Sequence, residues 1–192
     1  MSADVPLTRA INELAGQSSV MDWLFLFVSE PDVLWIPGIL LGMYWLWLSQ
    51  REALIGAATL AASIGIFDAL GAQIKRLVAR PRPCVIMSDL HQLQACGGAF
   101  SFPSNHAINT AAAAAFLQVL YPRSGWFSWP IVVLVGFARV YIGAHYVTDV
   151  LGGWMIGGLS GAGIAWLLLQ WPQFRQRVLP PLVSTQADSS AR

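Results

Sequence analysis

The chain has 192 residues, of which 56% are hydrophobic and only 11% charged, and its formal net charge is +1. A soluble domain carries about 25% charged residues, so this composition, with a mean hydropathy of +0.57, argues against a soluble globular domain and for a single membrane-embedded one. The near-neutral balance offers no basic stripe for nucleic acid, and residues 1–5 lack the basic n-region of a cleavable signal peptide.

In chain order, residues 7–16 show helical apolar spacing with Arg9 and Glu13 interleaved, and 21–28 are apolar but too short to span. We read 1–30 as helices lying in the membrane interface or dipping into it. The alternative is a tilted span over 11–29. A spanning helix needs about 20 mostly apolar residues. The candidates are 33–49, 53–76 with Asp68 inside it, 105–121, 128–143 and 147–170. The third is rich in alanine and stops at Tyr121 and Pro122. In the fifth, Gly153, Gly157 and Gly161 recur every four residues, a stripe that lets two helix backbones approach closely. Packing inside the monomer is the expected use, and a dimer face is the alternative. The sequence turns polar from Pro180, so 1–179 is read as one domain and 180–192 as a flexible tail.

Orientation follows from the basic residues. Arg51, Arg123, Arg175 and Arg177 fall on one side of a five-span arrangement, and Asp22, Glu30, Asp32 and Asp89 on the other. The positive-inside rule places the arginines in the cytoplasm. Trp45, Trp47, Trp126, Trp129 and Trp171 cluster near that boundary as an aromatic belt. Lys75, Arg80 and Arg82 then lie on the outer side, where an anion to bind would explain them.

Three clusters at helix ends carry chemistry. Charges are expensive in a membrane and mark function there. Lys75 lies seven residues before Arg82. Because Pro81 and Pro83 flank Arg82, and residues before proline avoid the helical region, Lys75 is expected at the end of a span and Arg82 on an extended exit from it. Arg76 and Arg80 read as headgroup or surface contacts, and Asp68 as a structural hydrogen-bonding group. The run Pro103-Ser104-Asn105-His106 opens the third span with a favoured N-cap. Its first turn offers free N–H groups and the positive end of a helix dipole to phosphate. Asn105 could add a side-chain amide. Arg139, His145 and Asp149 form the last cluster, with Gly143 placed to break the helix between them. A carboxylate four residues after a histidine would sit on its face of a helix and orient the imidazole for attack. Tyr141 and Tyr146 flank this cluster and could line a headgroup pocket.

Taken in order over residues 75–149, these clusters resemble the motifs of the type 2 phosphatidic acid phosphatase (PAP2) superfamily, K-x6-R-P, P-S-G-H and S-R-x5-H-x3-D. Asn105 replaces the glycine, and Ala138 the serine before Arg139. The resemblance implies an all-α integral membrane protein of about six helices, five or six of them spanning, with its site near the outer membrane–water boundary. It implies a two-step phosphotransfer. His145 attacks phosphorus and forms a phosphohistidine, with Asp149 orienting it. His106 protonates the leaving oxygen and then activates water. Lys75, Arg82, Ser104, Asn105 and Arg139 hold the phosphoryl oxygens. The sequence has no acidic cluster suited to Mg²⁺ and no Cys/His cluster, in keeping with a mechanism that uses neither cofactor nor metal.

The compact loop and short N-terminal region resemble small bacterial members acting on undecaprenyl diphosphate, in the inner membrane with the site toward the periplasm. Phosphatidylglycerophosphate, phosphatidate and the 1-phosphate of lipid A remain open as substrates. The soluble vanadium haloperoxidases share these motifs, but the spans argue against that class. A lipid-binding or lipid-moving protein with a degenerate site is the non-enzymatic alternative, and the retained nucleophile and orienter count against it. Oligomeric state is not legible. Cys84 and Cys96 share the loop after the first motif. If that loop faces an oxidising compartment, a disulfide between them is plausible.

Overall fold

The computed structural model describes residues 3–30, 33, 39, 42, 43, 47 and 50–178. The candidate span 33–49 and the tail 180–192 lie almost entirely outside these residues. Among the described residues the chain is helical and has no β-strand, only an isolated antiparallel bridge between Pro81 and Phe100.

Two short helices come first, α1 (Asp4–Asn12) and α2 (Ser19–Ser29). A continuous span over 11–29 is not formed. Gly16 turns the chain with φ +80°, a conformation that glycine adopts without steric cost. Asn12 is drawn away into hydrogen bonds with the carbonyls of Tyr141 (2.7 Å) and His91 (3.0 Å). At 11 residues, α2 is also too short to cross alone.

Next come α3 (Gln50–Val78), the one-turn α4 (Pro83–Ile86), α5 (Asn105–Leu120), α6 (Gly125–Tyr141), α7 (Val147–Leu169) and α8 (Pro172–Val178). Helices α3 and α7 are long and apolar enough to cross a membrane. Helices α5 and α6 have 16 and 17 residues. The outward faces of α3 and α7 carry exposed Leu54, Ile66, Leu70, Leu151, Met155 and Leu159, apolar surface that lipid would cover.

The alanine-rich α5 is the central helix, and its closest neighbour is α7. The reason lies in the glycine stripe. A Cβ on Gly157 or Gly161 would overlap the backbone carbonyls of Ile108 or Ala112, and one on Gly153 would come within 2.7 Å of the Ala107 Cβ. The stripe therefore packs within the monomer. Ala107, Ala111 and Ala112 are wholly buried on the facing helix. This contact brings the N-terminal ends of α5 and α7 together, and both ends carry functional residues. The backbone tie from Ser104 N–H to the Asp149 carbonyl, 3.1 Å, joins the two ends directly.

Candidate active site

The first wall of the site comes from the end of α3 and its exit. Lys75 lies in the last turn of α3, and Arg82 is extended (φ −73°, ψ 152°), as the flanking prolines require. Arg82 is buried. Its Nη1 donates to the Ala144 carbonyl at 2.9 Å and lies 3.2 Å from Nε2 of His145. The loop beyond it returns to its own start. Arg82 N–H donates to the Ala99 carbonyl and Ser101 N–H to the Arg80 carbonyl. Within this loop Cys84 and Cys96 are joined in a disulfide, with Cα atoms 6.0 Å apart.

The second wall is the start of α5. Ser104 is its N-cap, fully buried, and its hydroxyl accepts from the Ala107 N–H at 3.5 Å. The serine thus shapes the helix end, and its side chain does not line the cavity. Asn105 lines the cavity, and its amide is engaged by neighbouring side chains. Its carbonyl oxygen accepts from Lys75, and its NH₂ donates to Asp68 at 2.9 Å. The amide orientation is forced, because an ammonium only donates and a carboxylate only accepts. Asp68 also accepts from Asn109 at 2.9 Å. Gly71 makes room for this arrangement, since a Cβ there would come within 2.8 Å of the Asn105 oxygen. Asp68 therefore hydrogen-bonds within the bundle, as expected, while it orients a site residue. Nε2 of His106 is buried and has no protein partner.

The third wall is the corner between α6 and α7. Gly143, at φ +75°, ends the path of α6. Arg139 donates to the Ser29 carbonyl at the end of α2, 3.2 Å away. His145 and Asp149 are not stacked on one helix. His145 precedes α7, whose N-cap is Tyr146, and Asp149 is the third residue of the helix. The carboxylate Oδ2 accepts from the Tyr146 N–H at 2.9 Å and lies 3.5 Å from Nδ1 of His145. Helix capping, not helical stacking, brings the pair together. Arginine can only donate, so Nε2 of His145 must be the accepting nitrogen and Nδ1 carries the proton toward Asp149. Burial pushes the His145 pKa down, to about 3. The positive charges of Arg82 and Arg139 add to this, while Asp149 pulls the other way.

Lys75, Arg82, Asn105, His106, Arg139 and His145 line one cavity of about 570 Å³, roofed by the disulfide loop from Gln94 to Phe100. Arg76, expected to be a headgroup or surface contact, also lines it, so four cations and two imidazoles surround a space that suits a phosphoryl group and its oxygens. Tyr141 and Tyr146 do not line it. Tyr141 is turned into the core, where its hydroxyl donates to Asp22 at 2.7 Å, and Tyr146 lies under the Arg80 guanidinium. Arg80 is not a surface contact either. It forms ion pairs with Asp149 at 2.7 Å and Asp4 at 2.5 Å. Nothing in the spacing of the sequence singles out Asp4, 145 positions before Asp149.

The PAP2 superfamily model matches residues 56–177. The chain belongs to the PAP2 superfamily. Among relatives of this PAP2-type phosphatase, the undecaprenyl-diphosphatase of Sulfolobus acidocaldarius is 32% identical over 80% of this chain and 73% of that protein. Undecaprenyl-diphosphatase BcrC of Bacillus subtilis is 30% identical over 80% of this chain and 78% of that protein. The crystal structure of the transmembrane PAP2-type phosphatidylglycerolphosphate phosphatase from Bacillus subtilis superposes with a TM-score of 0.71. It is 25% identical and covers 91% of this chain and 88% of that one.

Proposed function

We propose that the protein hydrolyses a lipid diphosphate, with undecaprenyl diphosphate the best-supported substrate, through a phosphohistidine on His145. The single observation that carries the chemistry is the pairing at the corner. His145 lines the cavity with Nε2 3.2 Å from Arg82 and Nδ1 3.5 Å from Asp149, a pairing that supports the tautomer with Nε2 unprotonated.

In the first step Nε2 forms a bond to the terminal phosphorus as the bond from phosphorus to the bridging oxygen breaks. The lipid monophosphate leaves and takes a proton from His106. Lys75, Arg82 and Arg139 neutralise the charge that gathers on the phosphoryl oxygens, and the fixed positions of these cations are what accelerate the step. In the second step His106 accepts a proton from water, whose oxygen attacks the phosphohistidine. Inorganic phosphate leaves and His145 is restored. Ser104 and Asn105 act by holding the α5 start and the Lys75 ammonium. The scheme uses no metal, because side-chain cations supply the charge that a metal would.

Similarity to two undecaprenyl-diphosphatases over about four-fifths of the chain supports the substrate class. The split of arginines and carboxylates supports a site facing out of the cytoplasm, and so does the disulfide in the roof loop, a bond that persists in oxidising compartments. Phosphatidylglycerophosphate is the second reading, favoured by the structural likeness to a phosphatase of that lipid. Phosphate release from a panel of lipid phosphates, measured with purified protein and excess chelator, tests both. Fastest turnover of undecaprenyl diphosphate supports the first reading, and preference for phosphatidylglycerophosphate replaces it with the second. Release abolished by chelator, or absent from the whole panel, contradicts the mechanism.

A further inference from the structure

The His145–Asp149 pair does not end at Asp149. The carboxylate is fully buried, and its two oxygens face different partners. Oδ2 serves the Tyr146 N–H and His145, whereas Oδ1 accepts from Nη1 of Arg80 at 2.7 Å. The Arg80 guanidinium lies flat over the Tyr146 ring, 3.8 Å from its centre, and its Nη2 donates to Asp4 at 2.5 Å. One arginine thus forks between a catalytic carboxylate and a carboxylate of the N-terminal helix.

Helix α1 also satisfies the start of α7. The first N–H groups of any helix lack partners inside it. Here the Val147 N–H donates to the Thr8 hydroxyl at 3.3 Å and the Thr148 N–H to Asp4 Oδ1 at 3.1 Å. The Thr148 hydroxyl donates to Asp4 Oδ2 at 2.5 Å. Burial works against the charge of Asp4, but the hydrogen bonds from Thr148 and Arg80 outweigh it and hold the carboxyl below its ordinary range. Asp4 and Thr8 are both buried. The family match begins at residue 56, so α1 lies outside the matched region although it reaches the site.

We propose that Arg80, held in place by Asp4, is a positioning residue for the His145–Asp149 pair, which makes the N-terminal helix a working part of the site. The proposal rests on the phosphatase reading for its kinetic consequence but not for its geometry. Removing Arg80 leaves Asp4 and Asp149 as two facing carboxylates, which favours protonating one of them. A protonated or displaced Asp149 no longer fixes the tautomer of His145. The effect belongs in kcat, since Arg80 does not line the cavity.

The test uses Arg80→Gln, Arg80→Lys and Asp4→Asn in the full chain, with farnesyl diphosphate in detergent micelles as the probe. Arg80→Gln should lower kcat by about 10–100-fold, the scale of a small misplacement of a reacting group, with KM little changed. Arg80→Lys should recover part of that loss, because an ammonium keeps a charge on Asp149 but cannot fork to both carboxylates. Asp4→Asn alone should lower kcat less, and added to Arg80→Gln it should lower kcat no further. Asp4→Asn also stands in if Arg80→Gln fails to fold. Hydrogen–deuterium exchange of residues 4–12, which needs no substrate, should quicken in Arg80→Gln and in Asp149→Asn. Unchanged kcat in Arg80→Gln, a raised KM at constant kcat, or additive losses with Asp4→Asn would each overturn the proposal. Wild-type protein inactive on the probe counts against the phosphatase reading, and the exchange result then decides the network alone.

Discussion

His106 and His145 line the same cavity, but His106 stands in a helix turn capped by its sequence neighbour Ser104, whereas His145 stands in a corner whose polar side-chain contacts reach far along the chain. Pro103 and Ser104 set the entry to α5 and cap it within three residues of His106. His145 lies against Arg82, 63 positions earlier, and against Asp149, which Arg80 holds from 69 positions away. Nε2 of His106 has no hydrogen-bond partner in the protein, the freedom that the proposed proton donor needs. The long-range contacts of His145, from Arg82 on Nε2 and from Asp149 at 3.5 Å on Nδ1, set the position that the proposed nucleophile needs, since attack depends on distance and angle. The two imidazoles are alike in chemistry and differ in which groups lie against them.

The comparison breaks first at Asp149. Asp149→Asn keeps the shape of the corner but removes the charge that orients His145. It should reduce kcat by about 10⁴-fold, the loss seen when a catalytic histidine takes the wrong tautomer. A loss confined to KM would mean that Asp149 serves binding instead. Next is His106→Ala, which should cost about 10²–10⁴-fold on a lipid monophosphate, whose alkoxide leaves poorly. On p-nitrophenyl phosphate the phosphoenzyme-forming step should suffer far less, because a nitrophenolate leaves without a proton. Single-turnover kinetics checks this, and equal losses on both substrates would make His106 a phosphate ligand.

The roof loop supplies the third test. Cys84 and Cys96 close a loop 12 residues long, and Cys84→Ser with Cys96→Ser should cost about 3 kcal/mol of stability by the chain-entropy account. Alkylation without reductant should find no free thiol in wild-type protein. The smallest effect concerns pH. The folded-state pKa of His145 lies below its unfolded value of about 6.5, so at lower pH the unfolded chain binds a proton that the folded one does not. The stability tied to His145 is whole above that value and is lost as pH falls toward the folded pKa. Thermal unfolding should show this as a slope of up to about 1.4 kcal/mol per pH unit below pH 6.5, and His145→Gln should flatten it.

What was legible in the sequence follows the same division. The helical class, the α5 cap, the break at Gly143 and the extended Arg82 were readable, because each depends on residues within a turn or two. The glycine stripe was readable as a close approach, and its partner helix needed the structure. The corner was legible in composition but not in construction. A spacing of four between His145 and Asp149 suggests helical stacking, and a carboxylate in the first turn that caps the helix start meets the same spacing with the histidine outside the helix. Arg80 read as a surface arginine because both its partners lie far away along the chain. That Lys75 and Asp68 meet the amide of Asn105 was not legible, because they lie 30 and 37 positions away.

The central claim is that His145, and not His106, becomes bonded to phosphorus. Rapid quench with farnesyl diphosphate labelled at the terminal phosphate tests it most directly. Wild-type protein should yield an acid-labile phosphoprotein whose label maps to His145. His145→Ala should yield none, and His106→Ala should still form it slowly. Label retained in His145→Ala and mapped to His106 would reverse the two roles and contradict the account.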